Sequence, residues 1–254
     1  MPKISGCIIS FNEEAKLEDC LQSLAPVVDE IVIVDSLSTD GTVEIARRYT
    51  DKVYDQKFLG HIEQKNLAVS KASHDWILSL DCDERLDDEL TAAILRVKDS
   101  LDNHGAYRMA RKTFYVYRWL NHCWYPDRKV RLFNRNLAKW GGTNPHDVII
   151  IDENVVHDLP GDIQHYSFDS ISAHVQTLDK FTEIAAGEII RKGKRVTLLD
   201  PFTHSVWAFI RIYFVRGGFR DGFAGFVASW LSGVYAFVKY TKVIFHQRQR
   251  ESSA

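Results

Sequence analysis

The stretch Trp76-Ile77-Leu78-Ser79-Leu80-Asp81-Cys82-Asp83-Glu84 decides the fold of this chain. Its apolar run is typical of a buried strand, and the run ends at two acids one residue apart. Because side chains alternate along a strand, Asp81 and Asp83 are predicted to point the same way at its carboxyl end, where open α/β sheets bind ligands. Two converging carboxylates repel each other, and a hard divalent cation between them would relieve that repulsion. The alternative is a helix start, with Asp83 or Asp87 capping a helix over Asp88–Lys98.

Strand and helix patterns alternate through the first third of the chain, which predicts a doubly wound parallel sheet. The second predicted strand, Glu30–Asp35, has the apolar character of a parallel strand buried on both faces. The predicted strands before Trp76 are Ile4–Ser10, Glu30–Asp35 and Lys52–Tyr54, and the predicted helices run from Asn12 to Leu24, over Thr42–Tyr49 and over His61–Ala72.

The pattern changes after this parallel half. Alternating stretches at Tyr107–Val116, Lys129–Asn134 and Val148–Ile151, separated by Gly141-Gly142 and Asn144-Pro145, predict a mixed or antiparallel half. A long helix is expected over 170–192, followed by an aromatic, helical stretch over 198–245 that breaks at Gly217-Gly218 and Gly222. We therefore expect an α/β catalytic domain over residues 1–165 and a C-terminal helical, aromatic-rich extension over residues 166–254.

The composition is that of a globular protein, with 254 residues, 45% hydrophobic and 26% charged. A formal net charge of −2 gives no general attraction to nucleic acid. The four cysteines show no C-x-x-C spacing, which argues against a disulfide framework and fits a reducing cytosol. We also expect no signal peptide, because the apolar run Ile4–Phe11 is too short.

Asp35 ends the second predicted strand, as Asp81 ends a later one, and a turn over residues 36–42 follows it. A carboxylate at this position can accept hydrogen bonds from a nucleobase or a ribose, while the turn offers hydroxyl and backbone N–H groups. The alternative is that Asp40 or Thr39 only caps the next helix.

Three motifs at the ends of successive strands resemble the family 2 inverting glycosyltransferases of the GT-A fold. They are Ile8-Ile9-Ser10-Phe11-Asn12-Glu13-Glu14, then Asp35 with Ser38-Thr39-Asp40-Gly41-Thr42, then Leu80-Asp81-Cys82-Asp83-Glu84. The resemblance implies a Rossmann-like parallel sheet flanked by helices and continuing into a mixed sheet. The overall run of the chain, with its aromatic tail, is similar to bacterial lipopolysaccharide inner-core β-1,4-glucosyltransferases that act on heptose.

The resemblance implies a nucleotide-sugar site. By position, Ser10 and Glu13 (or Glu14) would line the pocket for the base, and Asp35 would bind the uracil or the ribose. Lys65 is a candidate contact for the donor diphosphate, and its alternative is a solvated helix lysine.

The resemblance also implies a metal held at the Asp-x-Asp motif. Asp83 would be the direct ligand of Mg²⁺ or Mn²⁺, while Asp81 would hold the ribose or reach the cation through water. His165, in an expected loop, falls where this fold often returns a histidine to the metal; the alternative is a structural role. Arg131 would face the diphosphate or acceptor phosphates.

An inverting transfer needs a base for the acceptor hydroxyl. In related enzymes a His-acid pair after a glycine-containing loop supplies it, which makes Asp147 the candidate here. His146 is the competing candidate, because the ordinary pKa of histidine lies near neutrality. A turn-forming aspartate after Pro145 is the structural alternative.

The aromatic tail is basic: from His204 onward, seven lysines and arginines face two acids. The uncharged stretch Gly222–Val238 is at the short edge of a transmembrane span. This composition favours helices lying on an anionic membrane surface, and the alternatives are core packing or a homo-oligomer interface.

The resemblance, together with the acidic motif and the aromatic tail, implies a metal-dependent inverting glycosyltransferase that moves glucose from a UDP-sugar to a membrane-linked saccharide such as the lipopolysaccharide inner core. We expect it in the cytoplasm, peripheral to the inner face of the cytoplasmic membrane. Two alternatives stay open. One is a non-catalytic nucleotide-sugar-binding scaffold, and the other is a haloacid-dehalogenase-like phosphatase, which also uses an acidic D-x-D at a strand end.

Overall fold

The computed structural model describes residues 2–103, 105–143 and 146–252 and forms two compact units. The first unit comprises the chain up to Lys112 together with Asp127–Tyr166, and the second comprises Thr113–Pro126 and the chain from Ser167 onward. The segment 113–126 therefore groups with the C-terminal helices. The division into domains 1–165 and 166–254 stays a prediction.

Strands and helices alternate as far as Ser79, and a short strand and a further helix complete the first ninety-seven residues. The elements are β1 (Ile4–Ser10), α1 (Leu17–Leu24), β2 (Glu30–Asp35), α2 (Thr42–Arg47), β3 (Val53–Asp55), α3 (His61–Lys71), β4 (Trp76–Ser79), β5 (Glu84–Leu86) and α4 (Asp88–Val97). A short 3₁₀ helix over Lys98–Asn103 follows α4. The strands that continue the chain are β6 (Ala106–Tyr115), β7 (Arg118–Trp119), β8 (Asp127–Asn134), β9 (Lys139–Thr143), β10 (His146–Ile150) and β11 (Val156–Phe168).

One sheet has the strand order β3-β2-β1-β4-β8-β6-β11-β5, with β7 paired to β6, while β9 and β10 form a separate antiparallel pair. β3, β2, β1 and β4 run parallel, whereas β8 is antiparallel to β4 and to β6, and β11 is antiparallel to β5. The predicted α/β class, with a parallel half flanked by helices that continues into a mixed half, is confirmed.

The register brings the functional strand ends to one edge. Ser10 of β1 lies opposite Asp35 of β2, and Cys7 of β1 lies opposite Ser79 of β4. The strands carry apolar side chains to both faces, which fixes their position between helices. The polar residues that follow β1, β2 and β4 therefore meet at the carboxyl edge of the sheet.

The helix predicted to open at Asn12 begins instead at Leu17. Asn12 has a φ of 53°, which a helix does not allow, and the Glu13 carbonyl accepts bonds from the N–H groups of Lys16 and Leu17 in a turn. The predicted cap of α4 is confirmed at Asp87, whose side chain accepts from the Leu90 N–H at 2.7 Å.

Two strands lie where the sequence predicted breaks. β9 contains Gly141 and Gly142, where the sequence predicted a separation between strands. The thirteen-residue β11 contains Pro160-Gly161 and also His165, so the prediction of a loop around His165 is wrong. Glycine is needed at position 161, where φ is +89° and an added Cβ would lie 2.3 Å from the Leu90 nitrogen. The turn-like residues here serve close backbone packing within a continuing strand.

Helices dominate the second unit. They are α5 (Ile171–Arg191), α6 (Asp200–Ile210), a π-helix over Arg211–Val215, a 3₁₀ helix over Gly218–Asp221 and α7 (Gly222–Ser252). The long predicted helix is confirmed in α5, which Ser170 caps by accepting from the Ala173 N–H at 3.0 Å. The predicted breaks are confirmed as well, because Gly217 and Gly222 have φ values of 76° and 63°.

A single carboxylate ties the early segment of the second unit to its C-terminal part. Asp221 is buried and accepts from three successive backbone N–H groups, those of Asn121 (3.0 Å), His122 (2.9 Å) and Cys123 (2.9 Å). Its Oδ1 also lies 2.9 Å from His122 Nδ1. Desolvation of the carboxylate is thus offset by four hydrogen bonds.

Aromatic packing holds α5 within the same unit. Nδ1 of His174 lies 2.8 Å from the hydroxyl of Tyr115, and the His174 ring stacks on Phe168 at 4.3 Å between ring centroids. Burial lowers the pKa of His174 to about 4, because the charged imidazolium would lose its hydration there.

The surface of α6, the π-helix and α7 exposes many large apolar side chains. We call these residues the aromatic face: Phe202, Val206, Trp207, Phe214, Val215, Phe219, Phe223 and Trp230. Within the described residues, the stretch Gly218–Arg250 is long and apolar enough to cross a membrane by length and composition. Core helices of soluble proteins meet the same criterion. In this stretch, 39% of the most apolar 18-residue segment is buried inside the protein.

Candidate functional site

The turn after β2 is built around Asp35. This carboxylate is 1% exposed and accepts from the Ser10 hydroxyl (2.7 Å), the Ser38 hydroxyl (2.6 Å) and the Ser38 N–H (2.7 Å). Asp35 therefore organises the two loops that follow β1 and β2. Its predicted contact with a uracil or a ribose stays a prediction.

Asn12, to which the sequence assigned no role at the site, connects these two loops by hydrogen bonds. Its Oδ1 accepts from the Thr39 N–H at 2.8 Å, and its own N–H donates to the Ser38 hydroxyl at 2.9 Å. Glu14 Oε2 accepts from the Gly41 N–H at 2.7 Å, and the Glu13 N–H donates to Thr42 Oγ1 at 2.7 Å. The Glu14 side chain thus serves the loop itself, and the role of Glu13 at a base pocket stays a prediction.

Asp81, just beyond β4, lies between two cations of the protein. Lys65 Nζ is 2.8 Å from Asp81 Oδ1, and Arg131 Nη2 is 3.0 Å from Asp81 Oδ2. Burial alone would raise the pKa of the Asp81 carboxyl, but the Lys65 ammonium and the Arg131 guanidinium outweigh it and hold this pKa well below its usual range. The repulsion that suggested a cation beside Asp81 is therefore already relieved by side chains of the chain itself.

Glu84 is the buried counter-charge of this cluster, and sequence reasoning gave it no role. It is 0% exposed, and its Oε1 accepts from Arg131 at 2.9 Å and from Arg111 at 3.2 Å. Its Oε2 accepts from the Asp81 N–H at 3.0 Å, which fixes the start of the acidic motif. Although burial would lower the pKa of Arg131, Glu84 and Asp81 raise it above its usual range.

Three consecutive residues of α3 connect the helix to three different elements. Gln64 Nε2 donates to the Ser36 hydroxyl at 3.0 Å, and Lys65 reaches Asp81 as described. Asn66 pairs with the backbone of Trp140 in β9, donating to its carbonyl at 3.0 Å and accepting from its N–H at 3.1 Å. Lys65 is buried, so the alternative of a solvated helix lysine is wrong.

Trp140 forms an aromatic wall beside the two cations. Lys65 Nζ lies 4.4 Å from the centre of its ring, and the Arg131 guanidinium carbon lies 5.4 Å from it. Such cation–π contacts stabilise desolvated cations by roughly 1–2 kcal/mol each. The sequence gave no signal for this role, because it depends on the pairing of Asn66 with β9.

Lys65 also binds the candidate base. Its Nζ lies 2.8 Å from Asp147 Oδ2, so one ammonium joins Asp81 and Asp147. Asp147 sits in β10, opposite Gly142 of β9. The backbone of His146 belongs to the same strand, whereas its side chain, like all of Asn144 and Pro145, lies outside the described residues.

Asp83 and His165, the two predicted metal ligands, lie together. His165 Nε2 is 3.2 Å from Asp83 Oδ2, and the Tyr166 N–H donates to the Asp83 carbonyl at 2.9 Å. No cluster of three or more acidic, histidine or cysteine side chains that could hold a metal occurs in the described part of the chain. One carboxylate and one imidazole nevertheless fit a Mg²⁺ or Mn²⁺ that completes its coordination with water and substrate phosphates.

The site thus combines a buried polar turn after β2, a cation pair beside Asp81, a carboxylate–imidazole pair at Asp83 and a second carboxylate at Asp147. Lys65 and Arg131 supply the positive charge of this site, and each pairs with two of its carboxylates. All of these groups belong to the first unit.

Several known proteins are similar to this chain. The model of the family described as glycosyl transferase family 2 matches residues 5–156. An uncharacterized glycosyltransferase of Rickettsia typhi is 31% identical, with 96% of this chain and 87% of the relative covered. A lipopolysaccharide core biosynthesis glycosyltransferase of Rhizobium meliloti, LpsC, is 30% identical, with 96% of this chain and 93% of the relative covered. Among solved structures, TarS of S. aureus matches with a TM-score of 0.47 and 14% identity over 87% of this chain and 46% of that chain.

The chain belongs to glycosyl transferase family 2. It is an enzyme of the glycosyltransferase class, as the sequence motifs predicted, and its architecture is of the expected GT-A type. The phosphatase alternative is therefore wrong.

Proposed function

We propose that this glycosyltransferase moves glucose from UDP-glucose to a lipid-linked saccharide of the lipopolysaccharide inner core, with inversion at the anomeric carbon. The observation that carries the proposal is the position of Lys65, whose Nζ lies 2.8 Å from both Asp81 and Asp147. This contact brings the acidic motif of β4 and a carboxylate of β10 into one site. A transferase needs both, because the leaving diphosphate and the attacking hydroxyl must meet at one carbon.

In the proposed reaction, Asp147 takes the proton of the acceptor hydroxyl on a carboxylate oxygen. The hydroxyl oxygen forms a bond to the anomeric carbon while the bond from that carbon to the diphosphate oxygen breaks, and UDP leaves with the electron pair. A single displacement of this kind inverts the anomeric carbon and needs no covalent sugar–enzyme intermediate. His146 is the second candidate for the base.

Charge on the departing diphosphate is met by the protein's own cations. Lys65 and Arg131 are both buried beside Asp81 and lie against the Trp140 ring. In a site with little water their charge is screened less than at the surface. They therefore favour a transition state in which negative charge grows on the leaving group.

Asp83 and His165 are the residues that would hold Mg²⁺ or Mn²⁺. A divalent cation held by these two residues would supply positive charge that stabilises the departing diphosphate. In the proposal, Ser10, Glu13 and Asp35 contact the nucleoside of the UDP-sugar. Asp81 lies near the ribose. The choice of a uridine nucleotide rests on the resemblance of the three sequence motifs, and the choice of glucose rests on the overall run of the chain, including its aromatic tail.

The acceptor is inferred from two observations. The similar Rhizobium meliloti protein is named for lipopolysaccharide core biosynthesis, and the aromatic face exposes large apolar side chains next to the exposed Arg216 and Arg220. A protein with such a surface can lie on an anionic leaflet. We therefore propose that the enzyme works in the cytoplasm at the inner face of the cytoplasmic membrane, where a lipid-linked acceptor is present.

The proposal is tested by following UDP release from UDP-glucose with Mn²⁺ and a truncated, heptose-containing lipopolysaccharide. Asp147→Asn should abolish turnover and keep UDP binding, measured by calorimetry. Asp51→Asn, a change of an exposed acid in the same unit, should leave turnover unchanged. Loss of turnover in a chelator, restored by Mn²⁺, is expected as well.

Other results would contradict the proposal in specific ways. UDP-glucose binding without turnover on any heptose acceptor would support the non-catalytic scaffold. Full turnover by Asp147→Asn, with loss in His146→Asn, would assign the base to His146.

A further inference from the structure

The second unit contains a cavity of about 470 Å³ bordered by α5, α6 and α7. Its walls are largely apolar and aromatic and include Leu178, Phe181, Trp207, Ile212, Tyr235 and Tyr240. This volume lies in the range of sites that bind small organic molecules, roughly 300–1,000 Å³. None of the lining residues belongs to the first unit, which holds the glycosyltransferase site.

Two cations line the cavity without a carboxylate partner among the described residues. Lys239 is half-buried, and its Nζ lies 4.6 Å from the ring centre of Tyr240 and 5.6 Å from that of Tyr235. Burial lowers the pKa of Lys239, and the nearby charge of Lys194 lowers it further. Arg211 is the second such cation.

A neighbouring lysine on the same helix shows the contrast. Lys242, outside the cavity, pairs with Asp179 at 2.9 Å and with Glu183 at 3.0 Å, both on α5. The carboxylates of α5 thus neutralise the outer lysine and leave Lys239 with aromatic partners. Placing an ammonium group in an apolar cavity costs hydration energy. A bound anion that pairs with the ammonium offsets this cost.

Arg211 stands where the helix geometry changes. It is the first residue of the π-helix Arg211–Val215, which directly follows α6. Single turns of π-helix are rare and occur often at functional sites, because the wider turn redirects side chains. Both the irregular turn and the unpaired charge fall at the cavity.

We propose that this cavity binds one anionic phospholipid, with the phosphate at Lys239 and Arg211 and the beginning of an acyl chain along the aromatic walls. A free phosphate ion would leave the apolar walls unused, and a neutral lipid would leave both cations unpaired. The proposed site goes beyond glycosyl transfer, since none of its residues takes part in that reaction. It also differs from general adhesion through the aromatic face, because it is a saturable site for one molecule.

The test uses the full-length protein and dihexanoyl-phosphatidylglycerol below its micelle concentration, so that no membrane is present. Binding is followed by calorimetry and by the change in intrinsic tryptophan fluorescence, to which Trp207 in the cavity wall contributes. We expect saturable binding to one site. Lys239→Gln should weaken it at least ~10-fold, as loss of a charge-assisted contact does. Lys242→Gln removes the same charge from the same helix and should change binding less than about 2-fold.

A second variant fills the cavity. Ala208→Trp should abolish binding of the lipid while circular dichroism and urea unfolding show that the protein is folded. Dihexanoyl-phosphatidylcholine and inorganic phosphate should each bind at least ~10-fold more weakly than dihexanoyl-phosphatidylglycerol.

Equal binding of phosphatidylcholine, equal binding of phosphate, equal losses in Lys239→Gln and Lys242→Gln, or no saturable binding by the wild type would each overturn the proposal. UDP-glucose turnover on a soluble acceptor fragment, measured in the same variants, reports separately on the transfer reaction. Failure of one proposal is therefore distinguishable from failure of the other.

Discussion

Lys65 connects the parts of the candidate site, because it contacts both Asp81 and Asp147. It is buried, it pairs with Asp81 just beyond β4 and with Asp147 in β10, and it lies over an aromatic ring. Removing one member of such a cluster leaves its partners in a poorly hydrated place without a counter-charge. The effect on the site should therefore exceed the loss of one contact.

Lys65→Met should lower kcat/KM at least ~100-fold, because it removes a positive charge from the leaving diphosphate and frees Asp81 and Asp147 to move. Lys65→Arg should retain part of the activity, since it keeps the charge. Lys71→Met on the exposed side of the same helix is the matched control and should be within about 2-fold of wild type. If Lys65→Met keeps more than about a tenth of wild-type activity, the central role of this ammonium is wrong.

Glu84 should matter for stability more than its position after the acidic motif suggests. Glu84→Gln keeps the shape of the side chain but leaves Arg111 and Arg131 with less counter-charge in a buried place. We expect the free energy of unfolding in urea to fall by about 3 kcal/mol. The exposed Glu89→Gln in α4 should change it by at most about 0.5 kcal/mol, and equal effects of the two changes would contradict the proposed burial penalty.

The candidate site was predictable only in part, and the reason is physical. Asp81, Asp83 and Asp147 follow or occupy strands whose patterns are visible in the sequence. Glu84 gains its role from two arginines, 27 and 47 residues away in the chain, and Trp140 gains its role mainly from a lysine 75 residues away. No local pattern encodes such contacts, because they depend on which strands become neighbours in the sheet.

At the scale of elements, helices with a clear apolar period and a capping residue were predictable. α4 and α5 follow this rule, with caps at Asp87 and Ser170. β9 and β11 were not predictable from the sequence, because glycine and proline inside a strand resemble turn signals. In β11 the glycine instead allows the backbone to approach α4.

Helix α5 should make the stability of the second unit depend on pH. The pKa of buried His174 is about 4, compared with 6.5 for an ordinary histidine. Between these pH values, the unfolded chain binds a proton at His174 and the folded protein does not. The free energy of unfolding is therefore unaffected by this group above about pH 6.5 and falls as the pH decreases toward 4. The loss should be at most about 3 kcal/mol.

This dependence is measured by urea unfolding between about pH 7 and pH 4.5 for the wild type and for His174→Gln. The variant should lose less stability over this range, because its side chain does not titrate. His74→Gln in the first unit is the control and should keep the wild-type slope. Parallel slopes for the wild type and His174→Gln would refute the prediction.

At the scale of the whole molecule, the small net charge hides an uneven distribution. The formal charge is −2, yet the residues from His204 onward carry seven lysines and arginines and two acids. The aromatic face lies in the same part of the chain. Apolar and cationic groups together attract a protein to anionic membranes, whereas either alone gives weak binding.

Flotation with vesicles that contain phosphatidylglycerol tests this surface. Phe214→Ser/Phe223→Ser should reduce the bound fraction at least ~10-fold, because two exposed apolar side chains are lost. Phe58→Ser/Leu59→Ser removes two exposed apolar side chains from the first unit and should float like the wild type. Unchanged flotation of the first variant, with a wild-type dimer that this variant abolishes, would assign the face to a homo-oligomer contact.

Asp221 has a consequence for the order in which the protein can be completed on the ribosome. The carboxylate that accepts the N–H groups of Asn121, His122 and Cys123 is synthesised about 100 residues after them. At ~5–20 residues per second, that is a delay of roughly 5–20 seconds. During this interval the early segment has emerged without its anchor. During synthesis from the N-terminus, the segment around residues 121–123 can therefore reach its final hydrogen bonding only after Asp221, in the last quarter of the chain, has been made.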